Sequence, residues 1–144
     1  MKTVEQLLMN QPAVLQIIDP DASVFEAIRQ LAEAGVGALL VMEQGKLVGI
    51  VSERDYARKV ALAGRSSKDT KVREIMTSNV LRVTPDTTNE ECMVLMAAKN
   101  IRHLPVMRGD EIVGMLSIRD LVADIIAERE FTIKQLQSYI YSGS

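Results

Sequence analysis

At 144 residues the chain has room for about one domain with a substantial core, and its interspersed 47% hydrophobic and 25% charged residues fit a globular protein rather than a disordered one. A net charge of −2, with only Phe25, Tyr56, Phe131, Tyr139 and Tyr141 able to stack on bases, denies nucleic acid its usual electrostatic footprint. MKTVEQLLMN lacks the basic start and apolar run of a signal peptide, no apolar stretch approaches the roughly 18 residues of a membrane span, and the single Cys92 excludes an internal disulfide, so a cytoplasmic protein without membrane contact is expected.

After an N-terminal helix, the extended segment IIDPD leads to Ser23 and Glu26, a capping-box pair in which each side chain satisfies a free backbone N–H at a helix start. Val24, Ala27, Ile28 and Leu31 follow at helical spacing. Two β-rich runs, VGALLVM and KLVGIVS, are joined by an EQG turn; a second helix then opens at Ser52, Arg54 and Asp55 and ends near Gly64. The polar connection RSSKDTKVREIMT is too short for a flexible linker between independent domains. The pattern then starts again, with VTPDT, the pair Thr88 and Glu91, a helix carrying Cys92, Met93 and Met96, and the runs IRHLPVM and EIVGMLS around an RGD turn. Ser117, Arg119 and Asp120 open another helix, and LVADIIAEREFTIKQLQSYI extends it with Leu121, Ile125, Phe131, Ile133, Leu136 and Ile140 partly at helical spacing.

Sliding the sequence by 65 residues aligns Ile18 to Asp55 with Val83 to Asp120, giving 12 identities in 38 pairs. Among them are Gly49/Gly114, Ser52/Ser117, Arg54/Arg119 and Asp55/Asp120. The chain therefore reads as a tandem duplication of a β-α-β-β-α unit, an α+β fold. One copy of about 60 residues buries its apolar sheet face poorly alone, so the two are expected to pack sheet to sheet as one pseudo-two-fold module. The expected divisions are 1–66 for the first copy with the N-terminal helix, 67–128 for the second, and 129–144 for a helical C-terminal extension.

The repeated trio has two physical readings. A strand-to-helix junction favours phosphate through free N–H groups and the dipole; a serine can donate to phosphate or sugar, an arginine neutralises phosphate, and an ionised aspartate accepts from two ribose hydroxyls. The same S-x-x-D spacing is also a capping box, which explains the serine and aspartate by helix initiation but leaves the arginine unexplained.

The D-P-D and T-P-D entries, VREIMT, and the twice-used G-h-h-S-x-R-D exit, in this order at fixed spacing, resemble a tandem pair of CBS domains. The likeness is greatest to small stand-alone bacterial proteins made of little beyond such a pair, and it runs from VEQLLMN to about Ile126. It implies a non-catalytic regulatory module that binds AMP, ATP or NAD(H) in clefts between the lobes, senses energy or redox state, and signals to a downstream protein. The first site would comprise Ile18, Asp19, Gly37, Ala38, Leu39, Ser52, Arg54 and Asp55. The second would comprise Thr84, Arg102, His103, Pro105, Ser117, Arg119 and Asp120. Family members associate into flat discs of four CBS units, which implies a homodimer.

The copies differ around the shared trio. Thr84, Arg102 and His103 in the second face Asp19, Gly37 and Ala38 at the matching positions of the first, and the family usually has Thr where Asp19 stands. The second site is thus expected to prefer a compact mononucleotide such as AMP, and the first to take a larger or less phosphate-focused adenosyl ligand or to stay empty. His103, a lone imidazole, makes no metal site, and Cys92 reads as a core thiol. No Ser-His-Asp motif, P-loop or G-x-G-x-x-G after a strand is present. Two alternatives stay open: an interaction module with vestigial clefts, and a small nucleotide-metabolising enzyme. The C-terminal segment either packs on its own lobe or helps build the homodimer.

Overall fold

The computed structural model describes residues 2–11 and 14–142; Met1, Gly143 and Ser144, the outermost residues of the expected segments, lie outside them. Two compact units form, one from Ala13–Arg82 with Gly109–Ile112, the other from Met1–Pro12, Val83–Arg108 and Val113–Ser144.

In the unit of the first copy, β1 (Ile17–Ile18) pairs parallel with β2 (Ala38–Glu43), which pairs antiparallel with β3 (Lys46–Ser52). As the middle strand, β2 buries Ala38 to Val41 without interruption. Its turn into β3 uses Gln44 and Gly45 at φ 51° and 77°, the doubly positive geometry that matches the twist of a hairpin. Helix α2 (Val24–Ala34) starts where Ser23 Oγ accepts from Glu26 N (3.1 Å) and stops at Gly35 in the left-handed region. After β3, α3 (Glu53–Tyr56) runs directly into a π-helical turn, Ala57–Ala61. Ile18, Val24, Ala27, Leu31, Leu39, Val41, Val51 and Val60 form the core with Val72 and Ile75 of α4 (Val72–Ile75).

The second copy repeats this plan. Thr88 caps α5 (Asn89–Lys99), Asn100 ends it at φ 51°, and β4 (His103–Arg108) and β5 (Glu111–Ser117) form a two-stranded sheet. Its expected first strand shrinks to one parallel bridge, Val83↔Val106, the register equivalent of Ile18↔Val41. Arg82, the counterpart of Ile17, stays outside the ladder, whereas Ile17 pairs with Leu40. Cys92, Met96, Leu104, Val106, Leu116 and Leu121 fill this core. Helix α6 (Ile118–Ser142) continues unbroken from the second exit into the extension.

A third repeated element escapes the 65-residue offset. The N-terminal helix α1 (Val4–Leu8) is the counterpart of α4, displaced by 68 residues. Val4 N and Glu5 N donate to the Thr87 and Pro85 carbonyls, just as Val72 N and Arg73 N donate to those of Ala22 and Pro20. Thus α1 completes the second copy and α4 the first, and the compact units cross the sequential division at residue 66. The repeated glycine of each exit explains itself here. A Cβ on Gly49 would lie 2.7 Å from Met76 Sδ and 3.0 Å from the Thr77 carbonyl, and one on Gly114 would lie 2.7 Å from Leu8 Cδ2.

Candidate functional site

Each set of candidate residues falls within one unit. In the first copy, Ala38 is the register partner of Ser52, and Glu53 N donates to the Gly37 carbonyl (3.1 Å), so the start of β2 and the exit from β3 lie side by side. In the second, Ile118 N donates in the same way to the Arg102 carbonyl (2.9 Å). The structure therefore joins Gly37 and Ala38 to the first trio and Arg102 to the second. Ile18 and Leu39 belong to the core, and Pro105 is buried with its carbonyl bound by Val83 N. Asp19 folds into its own entry turn, where Oδ1 accepts from Asp21 N (2.8 Å) and its carbonyl from Ala22 N. Thr84 is exposed in the corresponding turn.

Both trios form the capping box. Asp55 Oδ2 accepts from Ser52 N (2.9 Å) and Oγ (3.0 Å), while Asp55 N donates back to Ser52 Oγ (3.2 Å). Asp120 Oδ2 accepts from Ser117 N (2.8 Å), and Asp120 N donates to Ser117 Oγ (3.2 Å). These bonds hold each carboxylate still, and an ionised carboxylate has about four lone-pair positions, so the cap leaves acceptor capacity. Helix initiation and ligand holding are compatible roles for the same side chains.

The carboxylates differ in what else they meet. Lys59, one helical turn beyond Asp55, places Nζ 3.2 Å from Asp55 Oδ1 and 2.7 Å from the Ile75 carbonyl. Its counterpart in the second copy is Asp124, a charge reversal. Asp124 turns instead to Lys2 Nζ (2.6 Å) and to the amide of Asn89 (3.1 Å), which also donates to the Leu121 carbonyl. Asn89 stands where the first copy has the core residue Val24; it is buried, and its Oδ1 has no hydrogen-bond partner among the described residues. Beside this exit, burial pulls the His103 imidazole below the ordinary histidine value; the Asp120 carboxylate opposes that shift and Arg102 reinforces it.

Lys59 and Asp124 were not among the candidate residues, although the i,i+4 spacing of Asp55 and Lys59 is a legible ion-pair signal. Nothing local marks Asn89 as buried. Cys92 lies in the core, where burial and then Glu91 push its thiol up to about 11. Among the described residues, no group of three His, Cys, Asp or Glu side chains could hold a metal ion. No described helix is long and apolar enough to cross a membrane.

The CBS domain model matches residues 4–62 and 72–127. CBSX3, a mitochondrial CBS domain-containing protein of Arabidopsis thaliana, is 41% identical over 128 residues, 85% of this chain. The chain spans 62% of that relative and 22% of two others from the same plant, CBSCBSPB5 and CBSCBSPB4. Among solved structures, a protein with CBS domains from Burkholderia ambifaria MC40-6 superposes with a TM-score of 0.86 at 46% identity, covering 88% of this chain and 95% of its own. The CBS domain pair of MJ0100, in complex with 5′-methylthioadenosine and S-adenosyl-L-methionine, reaches 0.76 at 26% identity, covering 90% and 98%.

Proposed function

Because the chain belongs to the CBS domain family, we propose that it is a regulatory module whose two Ser-x-Arg-Asp exits each grip the ribose and phosphate of an adenine nucleotide, AMP, ATP or NAD(H). The observation that carries this reading is the duplicated junction itself. In both copies serine and aspartate are locked together, the first strand of the hairpin is bonded alongside, and an arginine lies between them in sequence. A capping box alone needs no arginine. Adenosyl ligands on the MJ0100 pair support the ligand class. The nucleotide shifts the module between states that a downstream protein distinguishes, which requires the ligand to favour one state. The module acts as a homodimer in this reading.

The second site prefers AMP: the Arg102 carbonyl is bonded beside its trio, His103 follows on β4, and Asp120 has no lysine one turn on, while Thr84 of the entry turn would be a further donor. In the first, Lys59 already occupies one oxygen of Asp55, so a ribose must share that carboxylate. Titration calorimetry with AMP, ATP and NADH tests both sites. Arg119→Gln is expected to weaken AMP by about 10- to 100-fold, the worth of one charge-assisted hydrogen bond. Asp55→Ala is expected to spare AMP at the second site, and equal loss from Asp55→Ala and Asp120→Ala for every ligand overturns the assignment. Incubating the same nucleotides with protein and assaying turnover separates a sensor from an enzyme. No binding of any of the three favours an interaction module with vestigial clefts.

A further inference from the structure

We propose that the outer part of α6 is a coiled-coil seam that pairs antiparallel with α6 of a second copy of this chain. The inference rests on the homodimer reading above and names the surface that would build it. From Arg129 to Tyr141 every residue of the helix is exposed. A helical stretch of this length without a packed face is marginal in water, so its persistence calls for a partner along one side.

The sequence of that side says what the partner is. Val122, Ile126, Arg129, Ile133, Leu136 and Ile140 recur at alternating steps of four and three, the heptad spacing of a two-helix seam. Isoleucine fills all three a positions, 126, 133 and 140, while the d positions hold Val122, Arg129 and Leu136. The five apolar members are 40, 53, 48, 59 and 66% exposed in chain order. Covering them removes on the order of 450 Å² of apolar surface per helix, hence roughly 1,400 Å² in total for an interface about two-thirds apolar, within the standard size of a stable dimer. A heptad stripe is self-complementary, and a two-fold pair of identical helices is the commonest way to close it.

Arg129 sets the direction. A parallel pair would place both Arg129 side chains in one layer. The antiparallel pair instead matches Val122 with Ile140, Ile126 with Leu136, and Arg129 with Ile133 of the copy, using all six positions with no overhang. It also sends each guanidinium to the flank where the copy's Glu130 lies, so two arginines and two glutamates alternate at the centre.

Sedimentation equilibrium on the full chain at tens of micromolar is expected to give a dimer. Ile133→Lys with Leu136→Lys should make it monomeric with an unchanged cooperative melt, and Gln135→Lys, on the opposite side of the helix, should leave it dimeric. Ile140→Lys, near the chain end and away from the repeat's core, should weaken the dimer at least tenfold, which keeps the test decisive if the double variant misfolds. Thr132→Cys lies beside the two-fold axis of the antiparallel pair and should oxidise to a disulfide dimer; Leu136→Cys should not, and Cys92 is buried. Crosslinking of Leu136→Cys but not Thr132→Cys overturns the antiparallel direction. A dimer indifferent to the lysine substitutions overturns the seam and leaves the homodimer reading standing, whereas a monomeric wild type overturns both.

Discussion

His103 ties stability to pH at the second exit. Its neutral ring is favoured by burial, so its folded pKa lies below the unfolded value of about 6.5. The unfolded chain then binds the extra proton, and the contribution of the neutral ring is complete above about pH 6.5 and lost as pH falls through the folded value. The urea midpoint is expected to drop between pH 7 and pH 5, and His103→Gln to flatten that part of the profile. The two exit glycines make a second comparison. Thr77's carbonyl is fixed by the bond from Ile50 N, so the crowding at Gly49 includes backbone, whereas at Gly114 it involves only the end of Leu8. Gly49→Ala should cost about 1–3 kcal/mol and Gly114→Ala distinctly less, read from denaturant melts. Lys59→Met releases Asp55 from an ion pair that is half-exposed at the lysine and mostly buried at the aspartate, worth on the order of 1 kcal/mol. It should tighten nucleotide at the first site by up to about fivefold in calorimetry and leave the second unchanged.

At the scale of elements, the short helices matter more than their length suggests. Val4 and Leu7 of α1 are buried in the unit of the second copy, as Val72 and Ile75 of α4 are in the first. Removing residues 1–9 strips about 3–6 kcal/mol of aliphatic burial from the second copy alone. Hydrogen exchange is expected to speed up across α5, β4 and β5 while α2, β2 and β3 keep their protection; uniform loss would contradict the division into units. The repeat of helices, hairpins and exits was legible because each has local chemistry: Ser23 and Thr88 as caps, the EQG and RGD turns between the paired runs, and the Ser-x-Arg-Asp trio at each exit. The kinship of α1 with α4 was not, since three extra residues break the common offset and a five-residue helix carries little periodic signal. The second copy's missing strand was not legible either, because a lone bridge and a two-residue strand look alike in sequence.

For the whole molecule, nucleotide binding and assembly should both register as stability. A ligand that binds only the folded chain adds about 2.7 kcal/mol at 100 times its Kd, so saturating AMP is expected to raise the melting temperature by several degrees. Arg119→Gln should lose about half or more of that shift at equal AMP. A shift that survives the substitution would place the nucleotide elsewhere.

The sequence by itself determined the duplication, the α+β class and the trio at each exit, because these rest on local spacing: a cap must lie three residues from its partner, and a strand must alternate with a turn. The tertiary structure decided which copy each short helix completes, that Asp55 shares its carboxylate with Lys59 while Asp124 turns to Lys2 and Asn89, and that α6 leaves an apolar stripe exposed beyond its repeat. Apart from the Asp55–Lys59 pair, whose i,i+4 spacing the sequence already carried, those outcomes depend on which groups meet across dozens of residues. One substitution, Lys59 against Asp124, is a single letter in an alignment of the copies, but in the fold it separates a carboxylate held by an ion pair from one left to its cap.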